Sequence, residues 1–143
     1  MLYGPSVLPV DSTTIRLFLH VLAATVWVGG QIALAGVVPV VRRFGGVEVT
    51  RAVAKRFQLV AWPAFAVLVV TGVWNLFAVH VGDQSGRYLT TLLVKLVLVA
   101  LSGACAFGHI VLVRRRPALG GAMAGLALLA ALGATFFGVL LAG

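Results

Sequence analysis

Residues 88–113 read YLTTLLVKLVLVALSGACAFGHIVLV, and this stretch decides the fold. It runs for 26 residues with a single full charge, Lys95. A helix of about 20 apolar residues crosses the hydrocarbon core of a bilayer. Lipid offers the backbone no hydrogen-bond partner, so a span is either a helix or a strand of a closed barrel. An apolar run this long and continuous lacks the alternation of a barrel strand. Residues 88–113 are therefore read as a transmembrane helix.

Three more runs of the same kind flank it, at residues 17–41, 59–81 and 118–143. Over the whole chain 62% of residues are hydrophobic and 10% are charged. Soluble domains carry about 25% charge. The expectation is an all-α integral membrane protein, one domain over residues 1–143, folded as a four-helix bundle. The single cysteine, Cys105, lies within a span and excludes an intrachain disulfide. The net charge of +8 does not point to nucleic acid, because the basic residues flank spans instead of forming a stripe on a soluble domain.

The distribution of those charges sets an orientation. Arg42, Arg43, Arg51, Lys55 and Arg56 lie between the first two runs, and Arg114, Arg115 and Arg116 between the last two. Only Arg16 and Arg87 lie on the other side. The positive-inside rule makes the two basic links cytoplasmic, with both termini outside. The first run is too long for the apolar part of a signal peptide and lacks a basic segment before Arg16, so it reads as a retained span. Asp11-Ser12-Thr13-Thr14 supplies helix-capping candidates before it. Gly45-Gly46, residues 82–86 and Pro117 with Gly120-Gly121 mark the turns.

Polar residues inside the spans carry the functional argument. A lysine at mid-span costs roughly 2.5–3.5 kcal/mol on insertion scales, so Lys95 is a candidate site residue. At about 100° per residue, His20, Trp27 and Gln31 fall on nearly one helix face. Lys95, Ser102 and His109 recur every seven residues on another, with Thr91 one turn above Lys95. Thr71 and Asn75 are a turn apart on the second run, and Thr135 stands alone in the fourth. From helical rise, His20, Lys95, Asn75 and His80 can share one layer towards the outer side, with Lys95 roughly 10 Å from the start of its run. His109 lies near the opposite face. Gly121 and Gly125, at small-xxx-small spacing, are candidates for close helix packing.

The three histidines, His20, His80 and His109, are the candidate metal ligands, since neutral imidazole suits copper, zinc and haem iron. Lys95 and Asn75 join His20 as candidate cofactor-binding residues. A charged lysine suits an anion, such as a haem propionate, or a proton relay. No HExxH, CxxC or glycine-rich phosphate loop occurs, and no carboxylate lies within a run. Two-carboxylate hydrolysis is excluded on that ground. Methionine is confined to Met1 and Met123, so a thioether ladder for Cu(I) is absent.

The motif HVLAATVWVGG at residues 20–30 resembles the first-helix pattern of the copper-resistance protein D (CopD-like) membrane domain. Arg56-Phe57 followed by Val70-Thr71-Gly72 resembles its next helix, and Leu93-Val94-Lys95-Leu96 the lysine-bearing helix after that. The resemblance covers about residues 16–116 and corresponds to the four-helix domain of that family. It implies copper handling or ion transport, with a copper ion as cargo, at the bacterial cytoplasmic membrane. The arrangement also resembles the haem-binding protoporphyrinogen oxidase of the HemJ type, which shares the first-helix histidine and the third-helix lysine. That second resemblance implies haem b at His20 and a functional Lys95. A third reading is a non-catalytic subunit whose polar stripe packs within a larger membrane complex or homo-oligomer.

Overall fold

The structure is a computed structural model and describes residues 10–143. It is all-α. Helix α1 spans Ser12–Ala78, a short 3-10 turn covers Val81–Asp83, α2 spans Gly86–Leu112 and α3 spans Pro117–Leu140. All three helices are long and apolar enough to cross a membrane.

Helix α1 is 67 residues long and is broken at one place, Gly46, which adopts φ 70° and ψ −170°. Only glycine takes that conformation without steric cost. There the chain turns back on itself. Contacts on either side of Gly46 pair in antiparallel order: Phe57 lies against Gly30, Trp62 against Trp27, and Thr71 against His20. We refer to the segments before and after Gly46 as the first and second arms of α1.

Both arms extend beyond the apolar runs. Arg42, Arg43, Arg51, Lys55 and Arg56 lie on helix, where the sequence placed a link. Loss of hydrophobicity marks where lipid contact ends, and arginine and lysine are themselves good helix formers. Asp11 caps the start of α1, its carboxylate accepting from the Thr14 N–H at 2.7 Å and from the Thr14 hydroxyl at 2.8 Å. Those bonds hold the Asp11 carboxyl below its ordinary pKa, the backbone N–H of Thr14 being the larger cause. At the other turn, Ser85 caps α2 and Pro117 occupies the first turn of α3.

Helices α2 and α3 form a close antiparallel hairpin. Leu98 meets Gly133, Ser102 meets Ala127, and Met123 lies against Gly108. The buried surface of α3 is Gly120, Ala127, Ala130, Ala131 and Ala134. Small residues let helix backbones approach, which is how helices associate where lipid removes the hydrophobic drive between them. Gly121 and Gly125 do not take part: both are exposed and face open space. The expected small-xxx-small contact is replaced by the alanine face one turn deeper.

The arms of α1 pack on this hairpin through larger side chains. Trp27, Ala61 and Ala131 form the buried centre, with Phe57, Trp62, Phe65 and Ala106 around it. The Trp27 and Phe65 ring centroids are 4.4 Å apart, and Trp62 meets Trp27 edge-on at 5.5 Å. The Phe65 ring fills the space over Gly103, where a Cβ would stand 2.6 Å from it. Large aliphatic side chains such as Phe18, Val21, Val70, Leu93 and Leu129 point outward instead. An interior of small and aromatic residues under an aliphatic surface is the packing expected of helices bathed in lipid.

Candidate functional site

One end of the bundle gathers the start of α1, the end of its second arm, the first third of α2 and the last turns of α3. The inward face of the first arm reads Arg16, His20, Ala23 and Trp27 at spacings of four, three and four residues. Arg16, Ala23 and Trp27 are buried and His20 is half-buried.

His20 is held across the two arms. Its Nδ1 lies 2.8 Å from the Thr71 hydroxyl oxygen, and its ring lies over Gly72. The Thr71 hydroxyl donates its own proton to the Val67 carbonyl at 2.7 Å. It therefore accepts from His20, which assigns the proton to Nδ1. Nε2 is left with its lone pair. A ring fixed through one nitrogen, with the other free, is how ligating histidines are oriented.

Lys95 is half-buried and lies within coulombic range of the His20 ring. Its ammonium sits over Gly138 of α3, 3.2 Å from where a Cβ would stand. The glycine makes the room that this side chain occupies. His20 and Lys95 thus lie at the same end of the bundle.

Asn75 makes no hydrogen bond to His20 among the described residues. The residue joined to His20 is Thr71, one turn deeper on the same arm, whereas the Asn75 backbone carbonyl closes the end of α1 on Val79. His80 stands outside the helices in a left-handed conformation, φ 48°, at the start of the 3-10 turn. It lines a cleft of about 460 Å³ with Val73, Leu76, Phe77, Val81, Gly82 and Asp83. His20 and Lys95 are not part of that lining.

His109 is 14 residues beyond Lys95 on α2, roughly 21 Å along the helix axis. Its Nδ1 lies 2.8 Å from the Gly120 carbonyl and donates to it, which ties α2 to the start of α3. The three candidate metal ligands are therefore not gathered at one place. Among the described residues no three His, Cys, Asp or Glu side chains converge as a metal site.

The rest of the polar stripe is structural. The Ser102 hydroxyl accepts from the Trp27 indole N–H at 3.0 Å and donates to the Ala127 carbonyl at 2.9 Å, joining three helical segments. Gln31, Thr91 and Thr135 each donate to a carbonyl four residues back on their own helix. They link nothing across the bundle by these bonds.

Arg16 is the residue the sequence reading left among the orientation charges. It is only 9% exposed, and among the described residues its Nε has no hydrogen-bond partner. The signal was present, since Arg16 precedes His20 by four residues and so continues the His20–Trp27–Gln31 stripe. No protein-family model, curated protein or solved structure matches this chain.

Proposed function

We propose that the chain is a four-span integral membrane protein of the bacterial cytoplasmic membrane, both termini outside, that binds haem b through His20. The observation that carries this reading is the His20 ring, held through Nδ1 by the Thr71 hydroxyl with the Nε2 lone pair unused in that bond, and with Lys95 as its charged neighbour. The topology rests on the basic residues around Gly46 and after α2. The bacterial source and the haem rest on the resemblance of the His20 and Lys95 segments.

The donor set fits haem better than a bare metal ion. Haem iron takes a single imidazole as an axial ligand. Its propionates are anions that suit Lys95 and Arg16. A copper ion at the same place has one imidazole donor and, among the described residues, no carboxylate or thiolate beside it. When bound, haem supplies one-electron redox chemistry within the membrane. The chain's own part is to hold the ring of His20 in one tautomer, to place positive charge beside it, and to close the site from below with Trp27, Trp62 and Phe65.

The test is one purified preparation in mild detergent, examined by absorption spectroscopy and elemental analysis. The expected result is a Soret band with about one haem per chain, lost in His20→Ala with the protein still monodisperse. Stoichiometric copper without a Soret band would transfer the site to copper handling. Neither would leave the non-catalytic subunit as the better description.

A further inference from the structure

Arg16 and Lys95 place two positive charges at the same end of the bundle as His20. Arg16 is one helical turn from His20 on the inward face of the first arm, and Lys95 reaches it from α2 over Gly138. The chain has only three acidic residues to offset them. The Asp11 carboxylate is engaged by Thr14. Glu48 lies two residues beyond the Gly46 break, at the far end of both arms. Asp83 is exposed in the 3-10 turn. Arg16 is nine-tenths buried with its Nε unpartnered among the described residues. A guanidinium Nε–H removed from water and left without an acceptor is matched to an oxyanion, and the fork geometry of the group favours a carboxylate or phosphate.

We propose that Arg16 and Lys95, at the same end of the bundle as His20, form a carboxylate-recognition pair that selects a ligand carrying two acid groups. The inference rests on the haem reading and deepens it: His20 holds the ligand's centre, and the two cations hold its acid edge. Arg16, which the resemblance does not assign, becomes a ligand-selecting residue. A neutral ligand of the same size and the same iron leaves Arg16 without a partner, so the site discriminates against it. A lipid phosphate offers the same chemistry to the two cations but would give no preference between acid and ester forms of a porphyrin.

The experiment compares haem b with its dimethyl ester, titrated into the apoprotein in neutral phosphatidylcholine nanodiscs and read by the Soret shift. The ester keeps the iron and the ring and removes both negative charges. Wild type is expected to bind haem at least tenfold more tightly than the ester. Arg16→Gln and Lys95→Met should each shrink that ratio, and the double variant should bring it near one. Equal affinity of wild type for the two forms overturns the inference while leaving the His20 reading in place. Binding of neither form overturns the haem reading itself. A wild-type preference that persists in the double variant also overturns the assignment, as does one that phosphatidylglycerol in the nanodisc abolishes by occupying the pair. If Arg16→Gln fails to give a monodisperse protein, Arg16→Lys is used, and the wild-type ratio decides alone.

Discussion

Nδ1 of His20 lies 2.8 Å from the hydroxyl oxygen of Thr71, across the two arms of a helix that turns back on itself. Because that hydroxyl donates to Val67, it fixes which ring nitrogen carries the proton. Thr71→Val keeps the shape and removes the acceptor. Outer-shell partners of ligating histidines contribute about 10–100-fold to metal affinity. We expect Thr71→Val to weaken ligand binding by that factor and Thr71→Ser to restore most of it. Titration of apoprotein measures both. Unchanged affinity in Thr71→Val would mean that the ring is oriented by packing alone.

Ser102 is 1% exposed, and its side chain bonds both the first arm of α1 and α3. Ser102→Ala leaves the Trp27 indole N–H and the Ala127 carbonyl without this partner. Interhelical hydrogen bonds in membranes average about 0.6 kcal/mol with a maximum near 1.7, since the unfolded helices find other partners in the membrane. We expect a loss within that interval in detergent-unfolding titrations. Combined with Trp27→Phe, the loss should be smaller than the sum of the two single losses. Strict additivity would show that the bond carries no coupling energy.

The long helices and the break at Gly46 were legible in the sequence because lipid demands long apolar runs and glycine permits the left-handed turn, whereas Gly120-Gly121, read as turn residues, lie inside α3. Helix ends were not, because charge marks the edge of lipid and not the end of helical structure: Arg42 to Arg56 continue the two arms. Helical register is enough to put His20 and Lys95 towards the same end of their helices. Arg16 escaped because a basic residue near a span end has the same appearance whether it contacts water or faces inward. The rotation of α3 was hidden for a different reason. It is apolar all round, so periodicity gives no inward face.

The packing prediction follows from that hidden rotation. Ala131 belongs to the buried centre with Trp27 and Ala61, whereas a Cβ on Gly125 meets nothing within 4 Å. Ala131→Leu should destabilise by about 1–3 kcal/mol, the usual result of overpacking. Gly125→Leu should lie near zero or be stabilising, as glycine is a poor helix former. Thermal denaturation in one detergent separates them. The reverse order would mean that α3 is rotated from the position described.

A weak pH dependence should come from the helix cap. The Asp11 carboxyl is held below its ordinary value by the Thr14 N–H and hydroxyl. A depressed carboxylate contributes stability that is present above the unfolded value, about 3.9, and is lost as pH falls through the lower folded value. Asp11→Asn caps the helix without titrating. The difference in Tm between wild type and Asp11→Asn should be constant from pH 6 to 5 and move in favour of Asn below about pH 4. A parallel pair of curves down to pH 3 would assign the cap no electrostatic part.

Orientation in the membrane is the last outcome to expect. Gly82 is exposed in the turn before α2, with no atom within 4 Å of an added Cβ. Val47, 59% exposed, follows the Gly46 break at the other end of the bundle. The native Cys105 is buried and is replaced by alanine to remove it as a label site. The basic residues cluster at the Val47 end, with Arg42, Arg43, Arg51, Lys55 and Arg56 near the break and Arg114 to Arg116 in the turn after α2. Positive charge is retained on the cytoplasmic side. An impermeant maleimide added to intact cells should therefore modify Gly82→Cys and spare Val47→Cys until the membrane is opened. The opposite pattern would place the His20–Lys95 end at the cytoplasm, and its ligand would then be delivered from inside the cell. Labelling of both in intact cells would mean that the two ends do not lie on opposite sides of the membrane, which removes the four-span topology itself.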